Sequence, residues 1–448
     1  MNYHFIAIGG SAMHNLALAL HDSGHQITGS DDALYDPAKI RLEQAGIAPK
    51  VLGYRAENIY QGLDAVVLGM HAKADNVELI KAQELGVTIY SYPEFVYEQS
   101  KHKTRVVIAG SHGKTTITSM ILHAMHYHGK EIDYLVGAQL EGFDRMVRLS
   151  DSSDFIIIEG DEYLSSAIDR RSKFLWYQPN IALVSGIAWD HINVFTTEDI
   201  YIDQFRKFMN TIIPGGSLTY FENDPKVKAL VDELQVPIRK FPYVAAAHEV
   251  AADQTMVHTE EGELPLKVFG EHNMANLEGA RWICQQLGIE PLDFYEAMMS
   301  FKGAAKRLER MPSSRGTVFK DFAHAPSKVR ATCSAVRRQF PDKKLHAVLE
   351  LHTFSSLTPV FIEQYKGALS SADTAVVMYD PESLVKKGMA PINTSFIQRA
   401  FDREDLIVIN SVDALRAHLE PCCEENAIVL MMSSGTFAGF DFGYFQNE

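Results

Sequence analysis

The segment Gly110-Ser111-His112-Gly113-Lys114-Thr115-Thr116 stands between a strand-like run, 105–109, and a run patterned as a helix. Glycines let backbone N–H groups face an anion, and a helix N-terminus adds the positive end of its dipole. A lysine at that place reaches the β- and γ-phosphates of a nucleotide, and the hydroxyl one residue on suits Mg²⁺. The segment therefore predicts a phosphate loop for ATP, with Lys114 also catalytic and Thr115 a metal ligand. Ile108 stands where the longer Walker pattern has glycine, so the loop is a compact Gly-x-x-Gly-Lys-Thr-Thr form. A chance Gly/Lys turn would not need the strand before it and the helix after it.

Glu159-Gly160-Asp161-Glu162 follows a second apolar run, 155–158. Carboxylates at a strand's C-terminal end beside a phosphate loop suit Mg²⁺, a hard cation that prefers oxygen ligands. A solvated acidic turn would read the same on this segment alone. Asp190-His191 follows a third run, 181–184, where His191 is either a second metal ligand or substrate-orienting group, or a loop histidine without a role. Asn273 and Asn276 share one helix face. Their amides can read an adenine edge, although Asn273 could equally cap the helix. Lys306-Arg307 precedes Asp321-Phe322-Ala323-His324-Ala325-Pro326. Arg307 offers a fork of donors to phosphate and Asp321 an acceptor for ribose hydroxyls, or each serves a structural ion pair. Gly9-Gly10-Ser11-Ala12-Met13 is an incomplete dinucleotide-type turn with Asp31 about 20 residues on, where ribose contacts are expected.

These residues need strand–loop–helix units to hold them. Strands are predicted at 3–8, 26–28 and 64–68, with Met13, Leu16, Ala17 and Leu20 at helical spacing between the first two. Further strands are predicted at 105–109, 155–158 and 181–184, and Ile117, Met120, Ile121, Ala124 and Met125 make one helix face. Residues 215–270 read as short strands and turns. The runs 317–322, 345–351, 374–379, 406–409 and 427–432 again alternate with helix-length segments. The alternation predicts an α/β protein of three domains. They are a Rossmann-like domain over 1–98, a P-loop ATPase-type domain over 99–310 and a second Rossmann-like domain over 311–448. The 448 residues also exceed the ~250–300 at which single cores stop growing.

A formal net charge of -15 argues against a nucleic-acid partner, which calls for a basic face. The 4 cysteines, Cys284, Cys333, Cys422 and Cys423, form no Cys-x-x-Cys pair, which fits a reducing compartment. The N-terminus has no basic flank, and no apolar run approaches the ~20 residues that span a bilayer. A cytoplasmic protein without a membrane partner is expected.

In this order the loop at Gly110, Glu159-Gly160-Asp161-Glu162, Asp190-His191, His272-Asn273-Met274-Ala275-Asn276, Arg307 and Asp321 resemble the spaced motifs of the Mur ligase family, over essentially the whole chain. Those enzymes join an amino acid or peptide to a UDP-muramyl carboxylate. The resemblance implies ATP and Mg²⁺, with Lys114, Glu159 and His191 catalytic and Thr115, Glu159 and His191 near metal. It places the nucleotide on Gly110 to Thr116, Asn273, Asn276, Arg307 and Asp321, and the UDP-sugar on Gly9, Gly10, Ser11, Ala12, Met13, Ser30, Asp31 and His71. His324, Glu350 and His352 fall where the amino substrate is expected. The Gly9-Gly10 turn and Gly29-Ser30-Asp31 resemble the branch whose acceptor is UDP-N-acetylmuramate itself. One enzyme of that branch adds L-alanine in biosynthesis. Another adds the recycled tripeptide L-alanyl-γ-D-glutamyl-meso-diaminopimelate. Asp161-Glu162-Tyr163, Asp169-Arg170-Arg171-Ser172-Lys173-Phe174 and Met432-Ser433-Ser434-Gly435-Thr436-Phe437 resemble the second. Glu350-Leu351-His352-Thr353 stands where the first usually has a Pro-His-Arg run. The tripeptide is thus the expected amino substrate and L-alanine the alternative. Phe205 stands near the carbamylated lysine of other branches, which this branch generally lacks. A monomer or weak homodimer is expected.

Overall fold

The computed structural model describes every residue except 138–141, 144, 252–253, 305–306, 315, 391 and 447–448. Lys306 therefore lies outside the described residues. The chain forms two compact units. The first comprises Met1–Ile187, Asp199–Tyr243 and Trp282–Leu287, and the second Ala188–Glu198, Val244–Arg281 and Gly288–Glu448.

In the first unit, strands β1 (Asn2–Ile6), β2 (Gln26–Ser30), β3 (Ala65–Leu68) and β4 (Ile89–Ser91) form a parallel sheet of order β2-β1-β3-β4. The first strand was expected to run to residue 8. It ends at Ile6 because Ala7 turns to a left-handed φ of 64°, which extended pairing does not tolerate. The helix Ser11–Asp22 follows, and Met13, Leu16, Ala17 and Leu20 are buried as the helical spacing predicted.

The second sheet of this unit uses β5 (Thr104–Ala109), β6 (Asp133–Leu135), β7 (Val147–Arg148), β8 (Phe155–Glu159), β9 (Ile181–Val184), β10 (Ser217–Phe221) and β11 (Arg239–Tyr243), in the order β11-β10-β9-β5-β8-β6-β7. All pairs are parallel except β6 with β7. Central strands covered on both faces are apolar throughout, and Val106, Val107, Ile108 and Ala109 are fully buried. The order puts β5 between β8 and β9, so the loop after β5 opens between the ends of two neighbouring strands, where open α/β sheets bind ligands. Residues 215–270 hold more than short strands and turns, because Pro225–Glu233 is a helix. Asp224 caps it by accepting from the Lys226 and Val227 amides, and Pro225 occupies the first turn.

In the second unit, β12 (His248–Ala251), β13 (Gln254–Thr259) and β14 (Gly262–Leu266) make a small antiparallel sheet. The larger sheet takes β15 (Glu309–Met311), β16 (Thr317–Asp321), β17 (Lys344–Leu351), β18 (Thr374–Tyr379), β19 (Ile407–Ile409) and β20 (Ala427–Met432), in the order β15-β16-β20-β17-β18-β19. Only β15 runs antiparallel. Alternate residues of its strands feed two cores. Phe319, Ala347, Leu349, Val377 and Leu430 lie on one face, and Val318, Val348, Val376, Val429 and Met431 on the other. Among the described residues no helix is long and apolar enough to cross a membrane.

Candidate active site

The loop after β5 has the geometry its glycines predicted. Gly110 and Gly113 take φ of 134° and 78°. A Cβ on Gly110 would meet the Ser185 Oγ at 2.2 Å, so only glycine fits there. Gly113 caps the helix Lys114–Tyr127, whose first amides have no intrahelical partner and face the loop. Lys114 Nζ donates to the Gly110 carbonyl at 2.5 Å and to Glu162 Oε2 at 2.7 Å. Burial alone would lower the Lys114 pKa, but the charges of Glu162, Asp161 and Glu159 outweigh it and raise it. Lys114 thus stays a cation.

The acidic run 159–162, read above as one magnesium site, divides its labour. Glu159, at the end of β8, accepts from the Thr115 hydroxyl at 2.7 Å and from the Gly137 amide at 2.8 Å. Asp161 binds Lys173 at 2.5 Å. Burial would raise its pKa, but the charges of Lys173 and Lys114 and the hydrogen bonds from Lys173 and the Tyr163 amide hold it far below the ordinary carboxylate range. Glu162 holds Lys114 with one oxygen and accepts from the Tyr201 hydroxyl with the other, at 2.8 Å. The sequence read Glu162 only as one of the acidic run's carboxylates, and did not single out Tyr201. Tyr201 lies on the helix Glu198–Asn210 and is fully buried. Its aromatic helix face could have been read as core, but no spacing rule pairs it with a loop 90 residues away.

Thr115 and Glu159 present two hard oxygens in contact, the donor set that an octahedral cation sharing a nucleotide's phosphates requires. Among the described residues, no group of three or more His, Cys, Asp or Glu side chains could hold a metal ion by itself. His191, the third expected ligand, belongs to the other unit.

The N-terminal turn is built on Asp31. Its Oδ2 accepts from the Gly9 amide at 2.7 Å, and a Cβ on Gly9 would meet that oxygen at 2.9 Å. Burial raises the Asp31 pKa, opposed by the Gly9 amide. The amides of Ser11, Ala12 and Met13 open the helix behind Gly10, the arrangement that favours a phosphate. Ser30 donates to Glu78, which is fully buried. Glu78 also accepts from the Arg55 amide at 2.9 Å and the Asn58 side chain at 2.7 Å, and lies 3.2 Å from His4 Nε2. His71 is exposed in the turn after β3.

In the second unit, Asp190 and His191 form a tight turn. His191 takes φ 56° and its amide donates to Asp190 Oδ1 at 2.7 Å. A left-handed non-glycine residue there is strained, as functional turns often are. Burial would raise the Asp190 pKa, but His191, Lys328 and His324 lower it. His324 is driven down to about 4 by burial and by Lys328. Its Nδ1 pairs with the Phe322 carbonyl at 2.8 Å, which leaves Nε2 as an acceptor in the neutral ring. Asp321 accepts from the Leu308 and Ala323 amides, each at 2.6 Å. It therefore fixes the chain beside Arg307, whose guanidinium lies 4.9 Å over Phe322. Asn273 donates to the Phe269 carbonyl at 2.9 Å, and Asn276 is 3.4 Å from Asn273. Glu350 is buried and accepts from Ser433 and from the amides of Phe437 at 2.9 Å and Ala438 at 3.2 Å. It shapes that loop rather than presenting a free carboxylate. His352 lies beside it, since a Cβ on Gly435 would meet its ring at 2.7 Å and Glu350 Oε2 at 2.8 Å.

A lysine-bearing phosphate loop beside carboxylates, on α/β domains of this topology, defines an ATP-dependent enzyme. Residues 2–104 match the family model described as Mur ligase family, catalytic domain. Residues 108–284 match the Mur ligase middle domain, and 306–435 the domain described as Mur ligase, glutamate ligase domain. The chain belongs to the Mur ligase family: it is a three-domain, ATP-dependent ligase of peptidoglycan metabolism that forms a C–N bond. Over 450 residues it is 28% identical to a UDP-N-acetylmuramate–L-alanine ligase of Desulfitobacterium hafniense, covering 97% of each chain. A murein peptide ligase from Psychrobacter arcticus superimposes with a TM-score of 0.69 at 24% identity, covering 100% of this chain and 99% of that one. The UDP-N-acetylmuramate:L-alanyl-γ-D-glutamyl-meso-diaminopimelate ligase of Neisseria meningitides gives a TM-score of 0.61 at 27% identity, covering 68% of this chain and 99% of that one.

Proposed function

We propose that the chain joins UDP-N-acetylmuramate to the tripeptide L-alanyl-γ-D-glutamyl-meso-diaminopimelate in the cytoplasm, as a step of peptidoglycan recycling. One observation carries the choice of amine. Free L-alanine carries a carboxylate one carbon from its attacking amine, which calls for a cationic fork there, whereas in the tripeptide that carbonyl is a neutral amide; neither lysine nor arginine stands between Lys344 and Lys366. The end of β17, where the sequence reads Glu350-Leu351-His352-Thr353 in place of the Pro-His-Arg usual in the alanine-adding enzymes, has Glu350 engaged by the 433–438 loop instead. The Neisseria relative, named for the tripeptide, supports the same choice. The Desulfitobacterium relative, named for L-alanine, supports the alternative.

In the proposed domains, 1–98 hold UDP, with its pyrophosphate at Gly10, Ser11, Ala12 and Met13. Residues 99–310 hold ATP on the loop at Gly110 to Thr116, with Asn276 and Arg307, and Asp321 at the next boundary. Residues 311–448 receive the amine near His324 and His352. A carboxylate is a poor electrophile, so its oxygen first takes the γ-phosphoryl group and ADP leaves. The amine then attacks the acyl carbon, and the tetrahedral adduct expels phosphate. Lys114 neutralises charge on the phosphoryl group in transit, and the loop amides orient it. Thr115 and Glu159 would hold Mg²⁺, which neutralises phosphate charge when bound. His191 is proposed to orient the acceptor carboxylate.

Incubation with ATP, UDP-N-acetylmuramate and both amines together, followed by product mass, tests the reading. The tripeptide adduct is the expected product, and an alanyl adduct alone would overturn the proposal. With hydroxylamine in place of amine, an ATP-dependent hydroxamate is expected.

A further inference from the structure

Within the first unit, three side chains link the phosphate loop to Tyr201, on the helix Glu198–Asn210. Ser111 Oγ lies 2.8 Å from the Tyr201 hydroxyl, and that hydroxyl lies 2.8 Å from Glu162 Oε1. Glu162 Oε2 holds Lys114 at 2.7 Å. Ser111, Glu162 and Tyr201 are all buried. The chemistry fixes the direction of this chain. An ionised carboxylate only accepts, and a phenol has one proton to give. Tyr201 therefore donates to Glu162, and Ser111 donates to Tyr201. The Ser111 amide donates as well, to the Gly186 carbonyl at 2.9 Å.

We infer that Tyr201 is a positioning residue for the nucleotide. It anchors Ser111, and so holds the start of the loop against β9 with its later amides turned to the ligand. It also holds Glu162 where Lys114 rests when no phosphate is bound. When Lys114 leaves for a phosphate, Glu162 keeps the Tyr201 hydroxyl, so the buried carboxylate is never stranded. Ser111, expected from sequence to touch phosphate, acts through this anchor.

The inference rests on the ATP-dependent reading of the loop, and its test reads nucleotide binding directly. Tyr201→Phe, Ser111→Ala and the double variant would be compared by calorimetry with ADP plus Mg²⁺ and by the KM for ATP against kcat. Ser111→Ala, which removes one buried hydrogen bond of the chain, is expected to weaken nucleotide binding roughly tenfold, and Tyr201→Phe, which removes two, at least as much. The double variant should be no weaker than Tyr201→Phe, because both cut the same chain. Should Tyr201→Phe not fold, Ser111→Ala and Glu162→Gln read the chain from its other members. Unchanged affinity in the single variants, or losses that simply add, would overturn the inference while leaving the ligase reading intact. An unsubstituted protein that binds no nucleotide would overturn both.

Discussion

At the residue scale, the phosphate loop was legible because its constraints are local. Glycines, lysine and hydroxyls sit within one strand-to-helix junction, and each has a separate physical reason to be there. The partners of Lys114 were not legible in the same way. Glu162 reaches Lys114, and Tyr201 reaches Glu162, only because β5 lies between β8 and β9, and no short spacing encodes that order. Lys114→Ala should reduce ATP-dependent phosphate release by about 10³-fold, since it removes the cation proposed to meet the moving phosphoryl group. Circular dichroism should show the fold retained, and near-normal turnover would sink the assignment. His324 gives a prediction in pH. Its folded pKa of about 4 lies below its ordinary value of 6.5, so the unfolded chain takes the proton first. Its contribution to stability is present above 6.5 and is lost as pH falls to about 4. Urea midpoints between those values should fall less steeply in His324→Asn than in the parent, and equal slopes would contradict the shift.

At the element scale, period and apolar runs located the principal strands, while the ends of elements depended on details the runs do not carry. Ala7 cut the first strand short by its left-handed turn. The helix Pro225–Glu233 was readable in retrospect from Asp224-Pro225, a cap followed by a first-turn proline, but the surrounding short strands masked it. Two elements also hang on buried carboxylates. Burial would raise the Glu78 pKa, yet His4, Ser30, the Arg55 amide and Asn58 lower it. Glu78→Ala strands those donors and should cost about 3 kcal/mol in urea unfolding, with a rise in the KM for UDP-N-acetylmuramate because Ser30 and Asp31 lose their anchor. A change below about 0.5 kcal/mol would contradict that role. Gly435→Ala drives a methyl into His352 and Glu350. It should raise the KM for the amine by roughly tenfold or more, as small misplacements at a reacting centre do, and leave the KM for ATP unchanged. A rise in both would mean the 433–438 loop is not specific to the amine.

At the scale of the whole molecule, the alternation of strands and helices was enough to name an α/β architecture. The order of its strands, and with it the meeting of Lys114, Glu162 and Tyr201, was not readable. Motif order along the chain carried the family. The choice of amine depends on what is missing after β17 as much as on what is there, which is why Glu350 drew notice from sequence but its engagement by Ser433, Phe437 and Ala438 did not. The account turns on that choice. Steady-state phosphate release with saturating ATP and UDP-N-acetylmuramate, titrated with the tripeptide and separately with L-alanine, measures it most directly. The account predicts kcat/KM for the tripeptide at least about 10²-fold above that for L-alanine, a margin within reach of a few lost polar contacts. A preference for L-alanine of the same size would contradict it.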